Sequence, residues 1–232
     1  MSLVKSSSNM YDFVTHMHSH LRGECPHKCE YCYVKSTTAY RTGHYQGALS
    51  LSESAFKVNY GSGKTIFIDH MNDLFADRVP RMFIRRVLAH CNTWPDNTYV
   101  LQSKNPATML DFWMDFPERT LCGTTLETNR EELIRTYSHA TRIDSRVYNM
   151  RRLAERGTKT FVTIEPVMDF DVEPFANMIS ICNPFFVNLG ADSKGHNLPE
   201  PTVDKIMALV AALKERGIEL REKHNLERLV SK

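Results

Sequence analysis

Three of the six cysteines in this 232-residue chain crowd into one stretch of eight residues, within GECPHKCEYCY. Cys25, Cys29 and Cys32 are spaced C-x3-C-x2-C. Thiols packed this closely ligate metal or do redox work in a reducing compartment more readily than they build a disulfide framework. A [4Fe–4S] cube usually takes four thiolates. Three would leave one iron open, and an open metal position is where a reactant binds. Gly23 and Pro26 supply the turn chemistry for a tight loop. The competing reading is a structural zinc site with His27, His16, His18 or His20 as fourth ligand. Structural zinc favours closed four-ligand sets, often paired C-x2-C knuckles, and only one such pair is present. Cys91, Cys122 and Cys182 stand alone in apolar surroundings and read as core thiols. Cys122, in a strand, is also a candidate hydrogen-atom donor.

The elements that must position this loop alternate. Short β-type runs at 13–20, 65–70, 98–103, 120–126, 160–165, 185–190 and 217–221 are rich in β-branched or aromatic residues and bounded by turn formers. Helical stretches fall near 80–91, 106–113, 142–156, 172–181 and 202–216. In the last, Thr202 reads as the cap and Gly217 as the stop. Such alternation implies a parallel sheet with helices packed outside it, as an open doubly wound sheet or a full or partial barrel. Strand parity favours a barrel. Val162 and Ile164 alternate with Thr163 and Glu165, Leu101 and Ser103 with Gln102 and Lys104, and Asp69 closes TIFID. Polar groups where strands finish are what a barrel with its site at the carboxyl end requires.

Several other features carry less. GSGKT at 61–65 lacks the glycine that a phosphate loop needs at position 58, which is Val58, and it precedes a strand rather than following one. His16, His18 and His20 alternate along the first strand. With Asp69 and His70 they would suit a zinc-dependent hydrolase, or one or two of them would line the substrate or cluster cavity. Two arginine groups, Arg81, Arg85 and Arg86 and Arg151, Arg152 and Arg156, read as solvated helix faces. If they converge, they suit phosphates.

C-x3-C-x-(aromatic)-C, with Tyr31 at the aromatic position, resembles the signature of the radical S-adenosylmethionine (SAM) superfamily. The fuller match is to the phage Gp37/Gp68-like family, itself distantly similar to spore photoproduct lyase. It runs through CPHKCEYCY, IFIDHMNDLFADRVP, VLQSKNPATML, GTTLETN, RID, VTIEPVM and VNLGADSKG. Gln102, Ser103 and Asn105 depart from its usual residues, and the Gly-Gly-Glu-like loop usual after the second strand is missing.

The resemblance implies a single partial (β/α)6-type TIM barrel over residues 1–232. It implies a [4Fe–4S] cluster on Cys25, Cys29 and Cys32, and SAM as second cofactor. SAM would be cleaved reductively to a 5′-deoxyadenosyl radical that takes hydrogen from substrate. Tyr31, Asp69, Asn72, Asp73, Lys104, Glu127, Asn129 and Asn188 are then candidates for holding the cofactor. Lys104 would face the methionine carboxylate, and Glu127 and Asn129 the ribose or amino group. Glu165 and Cys122 are candidates on the reacting side, with Asp192 and Lys194 toward substrate. The substrate would be a small molecule, a nucleobase, a nucleotide or phage DNA undergoing modification or repair. The reductant would be a flavodoxin or ferredoxin. A zinc-stabilised nucleic-acid-binding module without catalysis is the reading from another class.

Bulk composition is compatible with an ordinary globular enzyme. Hydrophobic residues are 42% and charged residues 24%, which argues against disorder. The net charge of +2 is too small to point to a polyanionic partner. No apolar run reaches the roughly 20 residues of a membrane span, and the amino terminus lacks a signal-peptide core. The expected location is the cytoplasm.

Overall fold

Every strong β-type run of the sequence pairs into one eight-stranded sheet, and every strong helical pattern packs against it. The computed structural model describes residues 3–6 and 10–230, so the amino-terminal reading falls partly outside it. The strands are β1 (Val4–Lys5), β2 (His16–His18), β3 (Leu21–Arg22), β4 (Ser50–Leu51), β5 (Thr65–Ile68), β6 (Thr98–Gln102), β7 (Thr120–Thr125), β8 (Lys159–Ile164), β9 (Phe186–Leu189) and β10 (Leu220–Glu222). The helices are α1 (Thr38–Arg41), α2 (Arg81–Asn92), α3 (Pro106–Asp111), α4 (Glu131–Arg135), α5 (Ile143–Glu155), α6 (Val172–Ile181), α7 (Val203–Glu215) and α8 (Glu227–Val230).

The main sheet runs β1-β2-β5-β6-β7-β8-β9-β10. It is parallel throughout except for β1, which pairs antiparallel with β2. β3 and β4 form a small antiparallel ribbon beside the cysteine loop. The order of the parallel strands follows the chain, so each crossover advances by one strand. A doubly wound sheet, whose order reverses at a switch point, is therefore excluded.

The two faces of the sheet have different cores. Outward residues such as Ile66, Leu101, Cys122, Val162 and Val187 join the buried faces of α2, α5, α6 and α7 in one large apolar cluster. α2 shows why: Ile84, Val87, Leu88 and Cys91 recur at helical spacing and are all buried. The inward parity carries a second, smaller cluster of Tyr11, Val14, Met17, Phe67, Val100, Phe161 and Phe186. Gly123 is needed there, because a Cβ would stand 2.1 Å from the Phe161 ring. This aromatic floor lies toward the amino ends of the strands. Above it the inward positions turn polar, and register places Thr125, Thr163 and Asn188 in one row.

No described helix is long and apolar enough to cross a membrane. GSGKT forms bends that lead into β5, as the missing glycine requires.

Candidate functional site

A cavity of about 1190 Å³ opens over the carboxyl ends of the strands. Ligand pockets commonly run to about 1,000 Å³ at most, so there is room for more than one small molecule. Cys25, Cys29, Cys32 and Tyr31 line it from one side, and Glu165, Lys223 and Asn225 from another. Gln102, Thr125 and Thr163 also face it, and Tyr11 reaches up from the floor, where its hydroxyl bonds Gln102 and Thr163 at 2.8 Å each.

The cysteine loop is held by neighbours that sequence order does not reveal. Gly23 enters it at φ 91°, where a Cβ would lie 2.3 Å from the Ala48 carbonyl oxygen, so only glycine fits. Asn72 donates to the Gly23 carbonyl at 2.9 Å. Asp73 meets His27 Nε2 at 2.7 Å and accepts the Lys104 backbone N–H at 2.8 Å, tying the loop to the end of β6. Asp69, in the left-handed region at φ 53°, accepts the backbone N–H groups of His20 and Leu21, at 2.7 and 2.8 Å. Asp69, Asn72 and Asp73 thus line the cavity while bracing the chain that carries the thiols.

All three loop thiols are free. Burial pushes the Cys25 thiol up to about 12 and raises that of Cys32 as well. Such thiols ionise only when a strong cation compensates them, as a ligated metal does. Among the described residues, no three His, Cys, Asp or Glu side chains converge where they could hold a metal ion. A mononuclear centre needs its ligand atoms within about 2.0–2.3 Å of one point. The three thiols of the loop line one side of the cavity, and thiolate is the donor type that an iron–sulfur cluster takes.

Lys104 lines the cavity beside these thiols, its Nζ 3.4 Å from Cys29 Sγ. It is already engaged, at 2.7 Å from both Glu127 Oε1 and Tyr31 Oη. Glu127 is fully buried behind it, accepts the Tyr31 hydroxyl at 2.6 Å, and pairs with Arg146 of α5 at 2.9 Å. The expectation that Glu127 faces ribose is therefore corrected: both its oxygens are used within the protein. Asn129 is displaced too, because the chain turns after β7 and pairs it with Asp171. Asn188 has the inward parity and donates to the Thr163 hydroxyl at 3.4 Å, but it does not line the cavity. Cys122 sits on the opposite parity from Gly123 and Thr125, buried in the helix-side core, and cannot reach the cavity as a hydrogen donor.

The histidines at 16, 18 and 20 are likewise corrected. None of His16, His18 and His20 lines the cavity. His18 and His20 pack instead with Tyr60 and with His90 of α2. The arginine groups do not converge on the cavity either: Arg81 pairs with Asp111, Arg86 with Glu53, and Arg151 with Glu155, all at the exposed surface. Lys28 pairs with Glu24 at 3.4 Å, both half exposed. Glu165 does face the cavity, bonded to Lys223 at 2.6 Å and Asn225 at 2.8 Å. Asp192 and Lys194 line its rim.

Tyr11, Lys223 and Asn225 were not foreseen. They come from the amino-terminal segment and from the turn after β10, and nothing local marks either as part of a site.

Residues 23–176 match the family profile described as "Protein of unknown function (DUF5131)". The chain belongs to the DUF5131 family. No curated protein matches this DUF5131 chain. Among solved structures, it is similar to a radical SAM methyltransferase from Sphaerobacter thermophilus at TM-score 0.61 and 15% identity, over 95% of this chain and 70% of that one. A spore photoproduct lyase variant with bound AdoMet and dinucleoside spore photoproduct matches at TM-score 0.58 and 12% identity, over 90% of this chain and 63% of that one. SuiB from Streptococcus suis matches at TM-score 0.55 and 10% identity, over 90% and 50%. The chain therefore spans less than two thirds of the length of that lyase. At these identities the likeness establishes the fold, a mixed α/β architecture shared with radical SAM structures.

Proposed function

We propose that this DUF5131 protein is a radical SAM enzyme whose sheet forms a partial (β/α) barrel around the cavity. The observation that carries the reading is that three free thiols from one C-x3-C-x2-C loop line a cavity over the carboxyl ends of the parallel strands. Cys25, Cys29 and Cys32 would hold a [4Fe–4S] cluster, and SAM would lie beside it toward Tyr31, Asn72 and Lys104. Bound there, the pair would supply one-electron cleavage of SAM and a carbon radical able to take hydrogen from substrate.

The chain's own residues have definable tasks. Asn72 and Asp73 fix the loop that sets the spacing of the thiols. Gln102, Thr125, Thr163 and Glu165 present polar groups across the cavity, where they would orient substrate. The aromatic floor of Tyr11, Phe67 and Phe161 closes the far end against water, which suits reactive intermediates. A nucleobase or nucleotide is the substrate class favoured by the likeness to a lyase with a bound dinucleoside and by the Tyr11, Tyr33 and Phe67 surfaces in the cavity wall. The electron would come from a small reducing protein such as a flavodoxin or ferredoxin.

Anaerobic reconstitution tests the reading. About four irons per chain are expected, with 5′-deoxyadenosine formed on addition of dithionite and SAM. A colourless protein that keeps stoichiometric zinc and yields no deoxyadenosine would overturn it.

A further inference from the structure

The group of Arg146, Glu127, Tyr31 and Lys104 contains two cations and one carboxylate, so it carries one surplus positive charge. Arg146 is 1% exposed and held by three bonds: Nε donates to the Thr141 carbonyl, and Nη1 to the Thr125 carbonyl and Glu127. Both oxygens of Glu127 are taken, one by Arg146 and the other by Lys104 and Tyr31. Of the group's charged members only Lys104 lines the cavity, with its side chain 15% exposed. A surplus charge in so dry a place is costly unless it faces an anion. The nearest candidate is the Cys29 sulfur, 3.4 Å away, with the ammonium also 4.4 Å over the Tyr31 ring. Lys28, the lysine within the cysteine loop, is half exposed and paired with Glu24, so water and salt screen it.

Resting on the cluster assignment above, we propose that Lys104, pinned by Glu127 and Arg146, is the electrostatic partner of the Cys29 thiolate and raises the reduction potential of the cluster that thiolate ligates. Reduction adds one negative charge to the cluster. A fixed cation beside a ligating sulfur stabilises the reduced form more than the oxidised one, and net charge and hydrogen bonds to sulfur are what set such potentials. The poorly screened surroundings enlarge the effect. Glu127 moderates it by offsetting part of the charge, so removal of the lysine charge and removal of the glutamate charge should act in opposite directions.

The experiment is an anaerobic redox titration of the reconstituted full chain, followed by electron paramagnetic resonance. Lys104→Met should lower the midpoint, cutting the reduced-to-oxidised ratio at a given donor potential about tenfold, equivalent to about 59 mV for one electron. Lys104→Arg should hold the wild-type value. Glu127→Gln should shift the midpoint upward. A merely structural role predicts no such opposition of sign. Clusters that assemble in wild type and Lys104→Met with equal midpoints, or Met and Gln variants shifted the same way, overturn the proposal. If Glu127→Gln does not fold, the Met and Arg variants decide alone. Wild-type protein that takes up no iron refutes the cluster assignment instead, a distinguishable result.

Discussion

Two buried polar clusters lie on opposite sides of the sheet near its carboxyl ends, and they resolve the cost of burial in opposite ways. On the cavity side, burial alone would push the Glu127 carboxyl up, but the Lys104 and Arg146 cations hold it down at about 2. That cluster is ionised, with every carboxylate oxygen bonded. On the helix side, His18 packs edge to face on Tyr60 and His20 on His90, with the Tyr60 and His90 rings tilted against each other. Burial pulls His18 and His90 down to about 4, so both are neutral at pH 7. Asp69 stands between the clusters. Its Oδ2 lies 3.6 Å from His20 Nδ1, and both atoms are buried without a hydrogen-bond partner. An unsatisfied buried polar atom costs about 1–3 kcal/mol, so this gap is a weak point that the other cluster lacks. Charge is kept at Lys104, which faces the Cys29 sulfur, and is lost from His18 and His90, which pack among rings.

The largest expected effect is at the thiol that faces the ionised cluster. Cys29→Ala should abolish iron retention after reconstitution, while Cys122→Ala, on the helix side, should leave iron content unchanged; iron assay of the two proteins checks the contrast. Next, Arg146→Met strips Glu127 of its deepest partner and should cost about 3–5 kcal/mol, read as a lowered urea midpoint. A loss under about 1 kcal/mol would mean that the cluster is not held as an ion network.

The depressed His18 and His90 predict a pH profile. The folded pKa of His18 is depressed below its ordinary 6.5, so its stabilising contribution is present above 6.5 and is lost as pH falls toward 4. Stability should decline across that window by up to roughly 3 kcal/mol from His18, with His70 and His90 acting in the same direction. Carboxylates held low, such as those of Asp73 and Glu127, lose their contribution only at lower pH. His18→Gln, which keeps a donor for the Ala55 carbonyl, should flatten the decline; equal slopes in urea titrations at pH 7 to 4 would contradict the assignment. The smallest effect belongs to a residue outside both clusters. Asn129→Ala loses its bonds to Asp171 and should cost about 1 kcal/mol with iron content intact.

Much of this arrangement was legible in the strands. The parity of VLQSK and FVTIE separates Gln102, Lys104, Thr163 and Glu165 from Leu101, Ser103, Val162 and Ile164; the cavity is lined by the first set, and of the second only by Ser103, just past the end of β6. The same parity places Cys122 outward, a reading available once Gly123 and Thr125 are taken as inward. Parity fails where the strand stops: Glu127 and Asn129 follow β7 by two and four residues, and there the chain turns by its own hydrogen bonds. It also fails to name the buried face. His16 and His18 share a parity, but period-2 alternation does not say which side of a sheet is the cavity.

The sequence by itself determined the local chemistry: the spacing of Cys25, Cys29 and Cys32, the parity of each strand, and the amphipathic faces of α2 and α7. These follow from short-range geometry and the need to bury apolar stripes. Only the tertiary structure decided which charges meet. Lys104 and Cys29 are 75 residues apart, and Tyr31 and Glu127 are 96 apart. Coulomb energies and desolvation depend on distance in space and on the surrounding medium, and neither is encoded in separation along the chain.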